Sequence, residues 1–470
     1  MTTSKLPDDS TVETFRDRLR GDLLHPGDDG YEEARSVWND MVDKYPAMIA
    51  QCEGTADVMA AVEFAREHGV VLSVKGGGHN FAGTAVCEDG LVIDLSPMNA
   101  VQVDPDAQRA RVQAGATWAD FDHEAQAFGL ATTGGLVSTT GVAGLTLGGG
   151  QGYLARKHGL TVDNLHSADV VTADGDFVHA SAETNEDLFW ALRGGGGNFG
   201  VVTAFEFDLH PVGPTVLGGP VFHPYEDAAE ALRFYREFTA DAPRELACYA
   251  LVVRVPPEEP FPEAYRGEPA VAFAVCYAGP IEEGEETVSP LREFGDPIVD
   301  AIQPMPYAGL QQAFDDGSPE GYRWYTKSHY LDGLSDDAIE TILEYTDPFP
   351  GPLTQVAIEP MGGAIADVDP TATAFPHRDA SYSFGIWPGW ADPENDDELI
   401  AWAREFHEAM ASYATDGVYA NYLDRDESDR VEAAYGVNYD RLVEIKTEWD
   451  TENVFRMNQN IEPAGRGDDR

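Results

Sequence analysis

The chain reads as an α+β protein of two domains, and three observations predict this. At 470 residues it is too long for one ordinary core, since a domain typically takes roughly 150 residues. Helix and strand patterns alternate through the first 211 residues, around three glycine-rich segments. After Pro211 the glycine triplets vanish, prolines gather at Pro256, Pro257, Pro260 and Pro262, and apolar strand patterns alternate with acidic helices.

The elements follow in order. Residues 1–30 are polar and read as an N-terminal arm with a short helical candidate from Val12 to Leu24. Thr55 to His68 is a helix: Thr55 serves as cap, Asp57 sits in the first turn, Val58, Ala61, Val62 and Ala65 share an apolar face, and Gly69 stops it. Val70 to Val74 is a buried strand that delivers the chain into the first glycine loop. Leu91 to Leu95, Val101 to Val103 and Ala110 to Val112 are further strands, and Thr117 to Phe128 is a helix ended by Gly129. Asp174-Gly175 between two β-prone runs predicts a hairpin over Val170 to Val178. A helix over Asn185 to Arg193 and a strand over Val201 to Leu209 close the first domain. In the second domain, Ala247 to Val253, Ala270 to Tyr277 and Ser381 to Trp387 read as strands, and Asp396 to Ala414 as a long helix.

Charge narrows the setting. Acidic side chains number 83 and basic ones 30, a net charge of −53, whose self-repulsion works against a compact fold in dilute buffer. Molar salt shortens the Debye length to about 3 Å and makes such a surface tolerable. The acids are spread along the chain rather than gathered in a tail, so we read adaptation to a high-salt cytosol. The same field excludes nucleic acid as a partner, because a phosphate backbone would be repelled. With 43% hydrophobic residues the chain buries real cores, so acidity does not mean disorder. Cys52, Cys87, Cys248 and Cys276 are far apart without a CxxC pair, which fits neither a metal site nor a disulfide scaffold; they are expected to be reduced and mostly buried. The N-terminus lacks an apolar signal core and no stretch of 18 apolar residues occurs, so no membrane association is expected.

The glycine clusters carry the functional signal. Gly76-Gly77-Gly78 precede His79, and glycines without a Cβ let an anion approach main-chain amides beside one nucleophilic ring. A second cluster runs from Gly141 to Gly152 and a third from Gly194 to Gly200. The third contains GxGxxG at Gly195, Gly197 and Gly200, yet a helix pattern precedes it and a strand pattern follows. A dinucleotide fingerprint needs the reverse order. A site made of loops, with glycine backbones meeting an extended pyrophosphate from several sides, accommodates all three clusters.

In their order and wording these segments resemble the FAD-linked oxidases of the vanillyl-alcohol-oxidase-like superfamily, and within it the berberine-bridge-enzyme-like family. The likeness extends from Trp38 to Pro463 and includes Gly115-Ala116-Thr117-Trp118, Gly159 to Asn164, Asp187 to Gly194, Phe375-Pro376-His377-Arg378, Asn421-Tyr422 and Phe455 to Ile461. It implies a PCMH-type FAD-binding domain over 31–211, an α+β substrate domain built on an antiparallel sheet over 212–420, and a segment over 421–470 that returns to the FAD domain. It further implies that Val74, Lys75, Gly76, Gly77, Gly78, His79 and Asn80 surround FAD, together with Thr139, Thr140, Gly141, Gly144, Gly148, Gly149, Gly150, Gly200, Val201, Asn458 and Asn460. By the resemblance His79 attaches covalently to the flavin methyl. Relatives often carry a second, cysteinyl link where this chain has Val137, so one bond is expected rather than two. Gln151 stands where relatives commonly carry an aromatic residue.

The resemblance implies oxidation of an alcohol-bearing small molecule (a sugar, a hydroxy acid or a secondary metabolite), with oxygen or another electron acceptor restoring the flavin. Thr140 stands where a small residue favours oxygen. Removal of the hydroxyl proton needs a base within about 3 Å. Tyr422 is the candidate, provided that its surroundings favour the phenolate; Tyr382, on the Ser381 to Trp387 strand, is expected to face the substrate, with Tyr419 a lesser candidate. His377 and Arg378 are expected to order loops, and His123 and His158 to be surface or capping residues. No metal site is expected. The alternative is a flavin-holding protein whose catalytic pocket has decayed.

Overall fold

The computed structural model describes residues 7–465. Two sheets build the first unit. One runs Leu23–Leu24, Met48–Gln51, Leu91–Asp94, Leu72–Lys75, its last three strands parallel. The other is antiparallel, in the order Val101–Asp104, Arg109–Gln113, Val201–Asp208, Leu165–Val171, Phe177–Ser181. Helix Thr55–His68 touches strands of both, burying Val58, Ala61, Val62 and Ala65. The Asp174-Gly175 hairpin joins the strand pair Leu165–Val171 and Phe177–Ser181.

Local chemistry explains most of these boundaries and corrects two. Gly69 ends its helix in the left-handed region at φ 63°, but Gly54 takes the cap position and Thr55 is the first helical residue, without a capping hydrogen bond. The capping box forms instead at Thr117 and Asp120, ahead of helix Trp118–Gln126. The predicted helix over Val12 to Leu24 is displaced to Asp9–Arg16, and Leu23–Leu24 becomes an edge strand. Phe15 stacks on Phe64 at 4.3 Å between ring centres, and Phe15 and Leu23 join the first unit's core rather than a separate arm.

The second unit is one antiparallel sheet with central order Thr215–Pro224, Pro269–Tyr277, Leu246–Arg254, Gln355–Pro360, Tyr382–Trp387, Lys327–Leu331. Helices Ala228–Ala240, Ile281–Glu293, Asp336–Thr346 and Asp396–Met410 cover one face, packing on Cys248, Ala250, Val252, Phe384 and Ile386. The last of these ends at Met410 and continues as a 3-10 turn to Tyr413, one residue short of the expectation. The other face of the sheet looks back towards the glycine loops.

The chain crosses between the units more than once. Phe375 N–H donates to the Arg193 carbonyl (3.2 Å) and Trp190 Nε1 to the Thr371 carbonyl (2.8 Å). Arg378 forms a buried pair of hydrogen bonds with Asp163, 2.6 and 2.8 Å, and His377 Nε2 lies 3.0 Å from the Ala434 carbonyl. Val418, Ala420 and Leu423 then join the first unit's core. At the end, fully buried Lys446 donates to Asp450 (2.6 Å), the Asn198 carbonyl (2.8 Å) and the Phe455 carbonyl (2.9 Å). Asn198 in turn accepts from Ile461 N–H at 3.0 Å and donates to the Gln459 carbonyl at 3.1 Å. The C-terminal segment is thus riveted to the third glycine cluster.

Candidate active site

A cleft of about 360 Å³ runs between the glycine loops and the open face of the large sheet, a size usual for small-ligand sites. Val74, Gly76, Gly77, Gly78, His79, Asn80, Thr140, Gly141, Gly144, Gly148, Gly200, Val201, Asn458 and Tyr422 all line it. Sequence-distant positions meet here because the glycine loops pack without side chains: a Cβ on Gly77 would lie 2.4 Å from the Gly141 nitrogen. Several glycines are therefore also required by packing. Gly148 abuts Asn421, Gly149 abuts Phe375, Gly150 abuts Thr161, and Gly200 abuts Val170.

Other expected positions lie outside the cleft wall. Lys75 turns away, its Nζ donating to the Ala34 carbonyl at 2.8 Å. Gly149 and Gly150 form the layer behind, and Gly150 N–H donates to the Tyr419 hydroxyl at 2.9 Å, which gives Tyr419 a structural task. Asn460 is not among the lining residues, although its Oδ1 is buried without a partner.

His79 is held on three sides. Its Nε2 lies 3.0 Å from the Thr139 hydroxyl and its Nδ1 3.4 Å from that of Thr140. Trp38 stacks on the ring at 5.0 Å and is itself stacked on Trp324 of the second unit at 4.9 Å. Burial pulls its pKa down to about 4, leaving a neutral imidazole with one unprotonated ring nitrogen near pH 7. Val137 also lines the cleft, and none of the four cysteines, all buried and free, does so.

The sheet supplies the other wall, and strand pleat decides which side chains reach it. Pairing sets Gln355 against Trp387, Ala357 against Gly385 and Glu359 against Ser383; Gln355, Ala357, Glu359 and Trp387 line the cleft with Tyr249 and Leu251. Tyr382 has the opposite parity. It is buried on the helix side, 6.0 Å from the Tyr235 ring and 3.5 Å from the Thr239 hydroxyl, so the expectation that it faces the substrate is overturned.

Tyr422 does reach the cleft, but its surroundings oppose a phenolate. Its hydroxyl donates to Glu359 Oε1 at 3.1 Å, and burial, followed by the neighbouring carboxylate, raises its pKa well above a phenol's usual range. The expectation that Tyr422 is itself the base required surroundings that favour the phenolate, and these do not. Glu359 is the group that sequence reasoning missed. It is buried, accepts from the Ser383 hydroxyl at 2.8 Å, and burial pushes its pKa up to about 7 despite those two hydrogen bonds, the range suited to a proton acceptor near neutral pH.

The residues present fit a dinucleotide flavin. The amide groups of Gly76 to Asn80 donate to no hydrogen-bond acceptor among the described residues, a run of free donors suited to phosphate oxygens. A Cβ on Gly144 or Gly197 would meet nothing within 4 Å, so the cleft reaches main chain there. Asn458 Oδ1 is buried and unpaired.

Comparison with known proteins agrees with this geometry. The family model described as an FAD binding domain matches residues 46–181 and that described as berberine and berberine like matches residues 418–462. An FAD-linked oxidoreductase of Dictyostelium discoideum is 32% identical over 457 residues, 96% of this chain and 97% of that protein. The chain belongs to the berberine-bridge-enzyme-like FAD-linked oxidoreductases. This berberine-bridge-enzyme-like chain is also 30% identical to (R)-6-hydroxynicotine oxidase of Paenarthrobacter nicotinovorans, covering 95% of this chain and 98% of that one. The solved structure of 6-hydroxy-D-nicotine oxidase from Arthrobacter nicotinovorans superposes with a TM-score of 0.85 at 28% identity over 94% of this chain and 98% of that one. A chitooligosaccharide oxidase does so at 0.83 and 26%, over 96% and 99%. It is an FAD-dependent oxidoreductase of PCMH-type α+β fold, and no helix among the described residues is long and apolar enough to cross a membrane.

Proposed function

We propose that this enzyme oxidises an alcohol-bearing small molecule, with Glu359 accepting the hydroxyl proton and Tyr422 orienting it. The observation that carries this reading is the buried Tyr422–Glu359–Ser383 chain at the cleft wall. When bound, the flavin supplies a two-electron acceptor for the carbon that bears the hydroxyl. Glu359 needs to be ionised to act, and its pKa near 7 lets it exchange that proton at neutral pH. Tyr422, kept neutral, donates to the carboxylate and holds it towards the cleft. Oxidases of chitooligosaccharides and xylooligosaccharides and of hydroxynicotine among its relatives support a small-molecule substrate and oxygen as acceptor.

His79 is the tether in this reading, through one covalent bond to the flavin, and the free amides of Gly76 to Asn80 hold the diphosphate. The glutamate chain, with its tuned acidity, speaks against a decayed pocket. The reading is tested by reducing the flavin with an alcohol panel without oxygen. Tyr422→Phe is expected to slow reduction about tenfold and, because the lost hydrogen bond had lowered the Glu359 pKa, to move the pH profile upward. A profile unmoved by that change would remove Tyr422 from its orienting role.

The charge of −53 supports a high-salt cytosol as the working environment. Many of the ion pairs are exposed and screened, and worth little singly, so the summed repulsion dominates. Melting is expected at progressively lower temperature as KCl is withdrawn; a transition indifferent to salt would contradict this.

A further inference from the structure

The loop that orients His79 has a footing on each unit. Thr139 and Thr140, whose hydroxyls lie 3.0 and 3.4 Å from the two ring nitrogens, follow Ser138 directly in the chain. On the first unit, the opening turn of helix Trp118–Gln126 carries this loop: Ala119 N–H donates to the Ser138 carbonyl at 2.8 Å and Trp118 N–H to that of Thr140 at 3.0 Å. On the second unit one side chain holds it. Asp315 accepts the Ser138 N–H on Oδ1 at 2.8 Å and the Ser138 hydroxyl on Oδ2 at 2.6 Å, and Ser138 is buried.

Asp315 is itself fixed in place. The chain turns tightly around it, with Gly317 N–H donating to the Phe314 carbonyl and Ser318 N–H to the Asp315 carbonyl, both at 3.1 Å. Gln355 of the large sheet donates to the Gly317 carbonyl at 2.8 Å, and Trp38 Nε1 donates to the Ser318 carbonyl at 2.8 Å. This one segment therefore meets the surroundings of His79 twice, through Ser138 next to the threonines and through Trp38, which stacks on the imidazole. A carboxylate that accepts two hydrogen bonds from one residue fixes its direction as well as its distance. Without Asp315 a buried N–H and a buried hydroxyl would need new partners, and the loop would move to find them.

Resting on the reading of His79 as the tether, we propose that Asp315 is a positioning residue for flavin attachment. Through Ser138 the second unit sets Thr139 and Thr140 so that the imidazole is aimed at the flavin methyl. Attachment replaces one imidazole N–H and one methyl C–H by a single C–N bond. The two protons and two electrons released pass to oxygen, which leaves as hydrogen peroxide. Such a step needs the reacting atoms within about 3.5 Å and aligned, and a displacement of about 1 Å can slow it about a hundredfold. Noncovalent binding has no such requirement, since the free amides of Gly76 to Asn80 do not depend on the threonines.

Each protein is purified with its flavin, precipitated with acid and washed, and flavin is measured in pellet and supernatant. The parental protein is expected to keep its flavin in the pellet. Asp315→Ala is expected to keep less than about a third of its flavin there, with total flavin per chain before acid within about twofold of the parent. Asp315→Asn, which can accept from the Ser138 N–H and donate to its hydroxyl, is expected to restore most of the attachment. Ser138→Ala deletes the Oγ contact alone and is expected to lose about half; it decides the question if Asp315→Ala does not fold. Trp190→Phe removes a different hydrogen bond between the units, to the Thr371 carbonyl, and is expected to leave attachment complete. Undiminished pellets from Asp315→Ala and Ser138→Ala, or an equal loss in Trp190→Phe, overturn the role of Asp315 and leave the tether standing. Parental flavin released wholly to the supernatant overturns the tether itself.

Discussion

Replacing Glu359 by Gln is expected to slow flavin reduction by about 10²- to 10⁴-fold, the range that a positioned proton acceptor contributes, with KM little changed. Glutamine keeps the volume and an oxygen able to accept from Ser383 or Tyr422, so the loss reports basicity rather than packing. In the unaltered enzyme the rate should climb with pH through about 7 and level off above it, since the working form is the carboxylate; the variant should lose that inflection. Stability is expected to move the other way. The carboxyl has its pKa raised from 4.5 to about 7 in the folded state, so its favourable contribution is complete below the unfolded value and is lost as pH rises through the folded one. At about 1.4 kcal/mol per pKa unit, the buried charge costs on the order of 3 kcal/mol above pH 7. The Glu359→Gln enzyme should accordingly melt higher than its parent at pH 8 and no higher at pH 4. A variant that reduces flavin at the parental rate would end the assignment of Glu359, whatever its melting temperature.

A carboxylate kept in this strand at that cost is one the sequence did not reveal. Gln355–Pro360 carries Val356, Ala357 and Ile358 before Glu359, a pattern in which a lone acid is conspicuous only against a neutral background. Here 83 acidic residues mask it. Tyr382 failed for a different reason: a period of two separates a strand's faces but does not say which one meets the ligand. Trp387, five residues on, lies on the cleft face. Helix Thr55–His68 and the Asp174-Gly175 hairpin were legible because an apolar face with a glycine stop, or a turn, marks them within a few residues. The packing role of the glycines was not: Gly77 and Gly141 touch through backbones 64 positions apart, and local conformational freedom was the only property their sequence could advertise. Phe15 and Leu23, read as part of an arm, belong to the core because they meet Phe64 and Ala50, partners that only the fold supplies.

His79→Ala is expected to abolish covalent flavin altogether. Acid-precipitated and washed parental protein should keep flavin absorbance in the pellet and show one flavin adduct by mass, while the variant should release all colour to the supernatant. Noncovalent binding should survive in part, because the free amides of Gly76 to Asn80 and the Asn458 side chain do not depend on the ring. The local environment suits one attachment and no more. Burial keeps the imidazole neutral down to about pH 4, so tether formation should be insensitive to pH between 5 and 8, unlike turnover. Thr139 and Thr140 fix the ring's orientation through both nitrogens, and the Trp38–Trp324 stack prevents it from swinging away. Cys52, Cys87, Cys248 and Cys276 are buried, and burial pushes each thiol's pKa up. A neutral thiol is a poor nucleophile, so no cysteine can replace the lost histidine. Parental protein with the mass of the bare chain, or a His79→Ala pellet that stays yellow, would refute the tether and move the search for an anchor elsewhere in the cleft.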